Sequence, residues 1–277
     1  MTHKYYKLME KIKYWLRKYS PKIFLFVFEK ICNFFIFYKK SFKYIKFENE
    51  IKSQSRHAEI SYFASIDDDT EYLDYDLLKK STSWIEIAMK INLNTNHLKP
   101  DSKFYNQFPG EHYRLLSAIC ISEKPKNIVD IGTFTGMSSR VFLDHSTANI
   151  HTLDIIKWSK FDSHLSNDDF ESGRIVQILD DLTYKNNFEK NKNIFKNSDL
   201  IFLDGPKNIV FENNLKEYLQ NLEFVSKKRY LVVDDIRFPN MFNFWRSISS
   251  PKIDLTSFGH FTGTGVVDIS NGLDIKT

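Results

Sequence analysis

Two cysteines in 277 residues, Cys32 and Cys120, are too few and too far apart for a disulfide framework or a zinc site. A reducing, cytoplasmic setting fits them. Long uninterrupted apolar runs are also missing. The nearest candidate, "KIFLFVFEKICNFFIFYKK", is broken by Glu29, Lys30 and Asn33, and is too short and too charged for a membrane span. No small-residue cleavage site follows it, which argues against a secretory signal. Repeats, low-complexity linkers and any nucleic-acid recognition module are absent as well, so nucleic acid is a poor partner. What remains is a chain long enough to bury a core, as one large domain or one domain with an appendage.

The net charge of +4 conceals a division. Residues 1–46 hold twelve Lys or Arg against Glu10 and Glu29, which leaves 27 basic and 33 acidic groups for the rest. A basic arm on an acidic body points to an anionic surface as the arm's partner. Tyr5, Leu8, Met9, Ile12, Trp15 and Leu16 share one helical face, with Lys4, Lys7, Lys11 and Lys18 largely opposite. Ser20-Pro21 then reads as an N-cap and first turn of a second helix. Such a pair can lie on an anionic membrane, placing the protein peripherally at an inner face, or pack on the body or on a second subunit as a homodimer element. Residues 47–100 read as a mixed helical cap or linker: "SIDDDTEYLDYD" as a solvated acidic loop and cap, "SWIEIAMKINL" as a short helix.

From residue 101 to 277 the pattern is regular. "NIVDIG", "NIHTLDI", "GRIVQILDD", "DLIFLDG" and "RYLVVDDI" read as buried strands separated by helical stretches, and "IDLTSFG" with "GTGVVDI" closes the chain as a hairpin. Alternation of this kind predicts an α/β fold with a mostly parallel sheet and helices on both faces. Ligands then sit at the carboxyl ends of the strands, where strand order reverses.

"NIVDIGTFTGMSS" is the most specific stretch. Gly132 and Gly136 end a strand and open a helix, which lets the backbone turn sharply and approach a ligand. No Walker lysine follows, and the third glycine of a dinucleotide fingerprint is missing. A ligand carrying a ribose without a pyrophosphate fits better. Asp154, ending the second strand, can accept both ribose hydroxyls.

Taken together, "VDIGTFTGMSS", "LDI", "DLIFLDGPK" and "LVVDDI" resemble class I S-adenosylmethionine-dependent methyltransferases, nearest to the metal-dependent small-molecule O-methyltransferases. "PGEHYRLL", "DGPKN", "DDIR" and "FGHFTGTGVVD" resemble the members found among sugar and cell-surface glycan genes. The resemblance covers roughly residues 105–270 and implies a Rossmann-like seven-stranded sheet with its last strand antiparallel. It implies that Asp130, Gly132, Thr133, Phe134, Thr135 and Gly136 line the methionine and ribose of the cofactor, that Asp154 holds the ribose, and that Asp180 or Asp181 lies near the adenine. It places a divalent metal on Asp204, Asp234 and Asp235, and a general base at Lys207. Asp235 departs from the asparagine of the resembled branch.

Methyl transfer to a hydroxyl needs the acceptor oxygen aligned in line with the sulfonium methyl and its proton removed. Sugar hydroxyls are weak acids, so a bound cation that lowers their pKa is useful. Oxygen-only ligation favours Mg²⁺, with Mn²⁺ second. Each residue also has a plainer reading. Asp234 and Asp235 can cap a loop, Lys207 can be a salt-bridge partner of Asp204, and Glu111 with His112 can be a helix start. The long "KWSKFDSHLSNDDFESG" connection can be a substrate lid or a loose insert. His260, in the last hairpin's turn, can orient the acceptor or only bond the turn. Two other classes remain open: a nicotinamide-dependent sugar oxidoreductase on a similar sheet, and a non-catalytic module that binds cofactor or membrane.

Overall fold

A computed structural model describes residues 74–93, 105, 112–225, 228–238, 240–258 and 262–276. The basic arm, most of the 47–100 segment, Glu111 and His260 lie outside the described residues.

Helix α1 (Tyr75–Ala88) begins at Asp74, whose Oδ1 accepts the N–H groups of Asp76 at 2.7 Å and Leu77 at 3.1 Å. It therefore starts inside the stretch read as an acidic loop, because Asp74 satisfies the first free donors of the helix. Leu77, Ser81, Trp84 and Ala88 form its buried stripe. Helix α2 (His112–Glu123) follows, and then β1 (Asn127–Ile131), α3 (Met137–His145), β2 (Asn149–Asp154), α4 (Asn167–Glu171), β3 (Ile175–Leu179), α5 (Lys185–Lys196), β4 (Leu200–Leu203), α6 (Val210–Gln220), β5 (Tyr230–Asp234), α7 (Phe242–Ser247), β6 (Lys252–Asp254) and β7 (Thr264–Asp268).

Among the described residues these strands make one seven-stranded sheet in the order β3-β2-β1-β4-β5-β7-β6. The first five run parallel, and β7 is antiparallel to both β5 and β6. The expected architecture is thus the observed one. Period-two alternation divides the core. Ile128, Ile150, Phe202, Val232 and Val266 face α1, α2 and α3. Val129, Leu153, Ile201, Val233 and Val267 face α5, α6 and α7. At roughly 1.5–3 kcal/mol for each large side chain removed from water, these two layers supply the main stabilisation.

Strand order reverses between β1 and β4. There the pairing runs one residue past the strand ends: the Gly132 N–H donates to Leu153 O at 2.9 Å, and the Asp204 N–H to Ile131 O at 2.9 Å. A Cβ on Gly132 would lie 2.1 Å from the Asp204 carbonyl oxygen, and its φ is +103°. Only glycine permits this crossing.

The connection after β2 is neither loose nor detached. Trp158 stacks on Phe170 with ring centroids 5.0 Å apart, Ser163, His164 and Leu165 are buried, and Arg140 pairs with Asp169 at 2.6 Å. No helix among the described residues is long and apolar enough to cross a membrane.

Candidate active site

At the carboxyl ends of β1, β2, β3 and β4 lies a cleft of about 560 Å³. Gly132, Phe134, Asp154, Asp180, Asp181 and Asp204 all line it. Six of the residues singled out in the sequence therefore meet in one cavity, although they come from four strand ends. Asp154 braces its rim: one oxygen accepts the Phe134 N–H and the other the Ile156 N–H, each at 2.9 Å. Asp180 is held by the Lys190 ammonium at 2.9 Å and the Asn191 amide at 2.8 Å, and the Lys190 hydrogen bond leads in lowering its pKa. Asp181 accepts the Thr183 N–H at 2.9 Å.

Four expected cofactor residues do not line the cleft. Asp130 is fully buried behind it and accepts hydroxyl bonds from Ser138 and Ser139. Burial pushes its pKa up to about 7, against the pull of the two serines. Thr133 bonds Thr152 at 2.7 Å, hydroxyl to hydroxyl. The Thr135 carbonyl accepts the His164 N–H at 2.7 Å and the Ser163 hydroxyl at 3.0 Å. Gly136, with φ of +79°, sits at the start of α3, where a Cβ would meet Leu165 at 2.6 Å. These four shape the loop from behind. The apolar walls, Ile155, Ile156, Phe161, Leu182 and Phe211, have no place among the expected residues. Their one signal is position, since Ile155-Ile156 and Leu182 directly follow the strand-ending acids.

Asp204 joins the cleft to a second feature. Asp204, Asp234 and Asp235 offer carboxylate oxygens all within 4.8 Å of one another, because β4 and β5 are parallel neighbours with Leu203 opposite Val233. Lys207 reaches into the group. Its ammonium contacts Asp204 and lies 2.7 Å from Asp235 and 3.9 Å from Asp234. Burial disfavours that charge, but the charges of Asp204 and Asp234 and bonds to Asp204 and Asp235 outweigh it, so the pKa is raised. Here the structure differs from the expected general base: Lys207 is an ion-paired ammonium, not a free amine. Burial, then the charges of Asp204 and Asp235, hold Asp234 well above the usual carboxylate range. One ammonium does not neutralise three carboxylates.

His112 also belongs here, with Nδ1 3.7 Å from Asp234 Oδ1. Nothing near His112 in the sequence signals that neighbour. Phe134, Lys207, Ile209 and Asp235 all have positive φ. Each such residue costs of order 1–3 kcal/mol, and such strain gathers at functional sites.

The donors suit a divalent cation. They are all oxygens, the three carboxyl groups outnumber the one ammonium, and Asp234 Oδ1 is buried without a hydrogen-bond partner among the described residues.

No protein-family model matches the chain, and no curated protein does. Solved structures do. A methyltransferase from Geobacter sulfurreducens is 13% identical, covering 59% of this chain and 78% of its own, with a TM-score of 0.40. A protein assigned as a caffeoyl-CoA O-methyltransferase from Staphylococcus aureus is 14% identical over 69% of this chain and 99% of its own, with a TM-score of 0.44. The SAH-bound methyltransferase PaMTH1 of Podospora anserina is 14% identical over 80% and 97%, with a TM-score of 0.41. Likeness at this level carries no argument about the reaction. The functional reading rests on the chain's own residues.

Proposed function

We propose that this chain is an S-adenosylmethionine-dependent O-methyltransferase acting on a hydroxyl of a small polar acceptor, a sugar or glycan precursor. The observation that carries this reading is the double role of Asp204, which lines the cleft and also belongs to the carboxylate cluster. A methyl donor held in the cleft and a hydroxyl held at the cluster would therefore be neighbours. The sugar class follows from the likeness of "DGPKN", "DDIR" and "FGHFTGTGVVD" to glycan-gene methyltransferases.

In this reading Asp154 receives the ribose hydroxyls, and Ile156, Leu182 and Phe211 enclose the flat apolar part of the donor. Gly132 lets the backbone approach the reacting centre without a side chain in the way. The carboxylates would hold Mg²⁺ or Mn²⁺, which would supply a Lewis acid that lowers the acceptor hydroxyl's pKa. Lys207, as an ammonium, would stabilise the negative charge that develops on the acceptor oxygen and so assist deprotonation, with the proton released to water rather than taken by Lys207. Calorimetry with S-adenosylmethionine, with and without Mg²⁺, tests the reading. Binding is expected in both conditions, and no binding in either would reject it. Full methyl transfer in chelator would leave Lys207 as the cluster's sole cation.

For the basic arm we propose an anionic membrane surface as partner. Removing residues 1–46 should leave a folded, cofactor-binding body that no longer sediments with phosphatidylserine vesicles. The intact chain's sedimentation should weaken as salt is added.

A further inference from the structure

We infer that Asp235 acts through Lys207, anchoring its ammonium, and that Asp204 and Asp234 hold the divalent cation; this rests on the metal-assisted reading above. The three carboxylates are not equivalent. Both Asp235 oxygens are engaged by the chain itself: Oδ1 accepts the Thr262 hydroxyl, and Oδ2 lies 2.7 Å from the Lys207 ammonium. Asp234 is held differently: its carboxylate accepts the Asp235 N–H, and His112 Nδ1 lies 3.7 Å from its Oδ1. Its Oδ2 is 3.9 Å from Lys207, beyond a hydrogen bond, and its buried Oδ1 has no hydrogen-bond partner among the described residues. Asp204 shares the Lys207 ammonium through Oδ1, but it also stands at the cleft, where a cation and an acceptor can both reach it.

Charge divides the same way. Pairing Asp235 with Lys207 leaves two carboxylates for one divalent ion, a neutral arrangement that a buried site favours. The backbone supports the pairing. Lys207 and Asp235 have φ of +52° and +58°, and the Asn240 amide donates to the Lys207 carbonyl at 2.8 Å. The pair is thus held from both loops. The ammonium already contacts Asp204 and lies 3.9 Å from Asp234, so without Asp235 it would be left to those two and compete with the ion for them. Asp235 is a positioning residue, not a ligand.

Mn²⁺ titration of the full chain, followed by the EPR signal of free Mn²⁺, separates the two roles. Glycine suits the left-handed backbone at position 235, so Asp235→Gly removes the side chain without adding strain. Asp235→Gly is expected to weaken Mn²⁺ binding by about tenfold or more. Adding Lys207→Met, which removes the competing ammonium, should restore binding to within about twofold of the unaltered chain. The charge-matched pair Asp204→Ala with Lys207→Met should not recover. Were the 235/207 double variant as weak as the 204/207 one, Asp235 would be a ligand and the inference would fall while the metal reading stood. Should the unaltered chain bind no Mn²⁺, both fall. If Asp235→Gly does not fold, Thr262→Val decides in its place. In the Lys207→Met background it should change affinity by less than about twofold, whereas a donor to a true ligand would cost about tenfold.

Discussion

The half of the sheet formed by β3, β2 and β1 and the half formed by β4, β5, β7 and β6 build different things at the same edge. The first half makes its part of the cleft from backbone: a glycine crossing at Gly132, a left-handed Phe134, and Asp154 tying two N–H groups. Its charged groups are single and braced, like Asp180 against Lys190. The second half makes its part from charge, with three carboxylates and one ammonium in contact. On the proposed reading, shape would recognise a donor that is the same in every turnover, and charge would act on a hydroxyl whose proton must leave. The two meet at the β1–β4 boundary, where Gly132 and Asp204 touch.

That boundary is the place to break the comparison most severely. Gly132→Ala puts a Cβ against the Asp204 carbonyl and should destabilise the fold by about 4 kcal/mol, the range for diagnostic steric clashes. A denaturant melt within 1 kcal/mol of the unaltered chain, on the order of a surface change, would contradict the crossing.

Next in size is the charged half alone. Asp204→Asn with Asp234→Asn should lower kcat for methyl transfer by roughly 10²–10³-fold, the cost of losing transition-state charge stabilisation. Cofactor affinity, measured by calorimetry, should persist. Loss of both together would mean that the halves do not divide the labour.

The backbone half answers to Asp154→Ala. It should weaken S-adenosylmethionine binding by roughly 1.5–3 kcal/mol, as for lost hydrogen bonds to a charged group. Unchanged affinity would remove Asp154 from the ribose.

The mildest probe is pH. Asp130 titrates near 7 in the folded chain, but close to 4 when unfolded, so the folded state binds more protons between those values. Its contribution is complete below about pH 4 and is lost as pH rises through about 7, at no more than roughly 1.4 kcal/mol per pH unit. Thermal melts should show stability falling over that window, and Asp130→Asn should flatten the fall. An equal slope in the variant would assign the effect to Asp234 instead.

Local pattern carried much of this architecture. "NIVDI", "LIFL" and "YLVVD" are apolar because both sheet faces are covered, so burial writes the strands directly into composition. Strand-ending acids and the two glycines of "GTFTG" marked the edge for the same reason: a strand's end is a local event. Which of those residues face the cleft was not local. Asp130 lies one residue before the end of β1 and Asp154 ends β2, yet one is buried behind the loop and the other braces the rim. The stretch read as an acidic loop and cap does cap a helix, but α1 begins at Tyr75, before "SWIEIAMKINL", because the Asp74 carboxylate satisfies its first donors. The sequence by itself therefore determined the elements, the parallel order of their alternation and the strand-end residues that make a site. Only the tertiary structure decided that Lys207 is an ion-paired ammonium, that His112 neighbours Asp234, and that Asp235 differs from its two companions. Protonation and pairing depend on distances between loops far apart in the chain, and no periodicity records those distances.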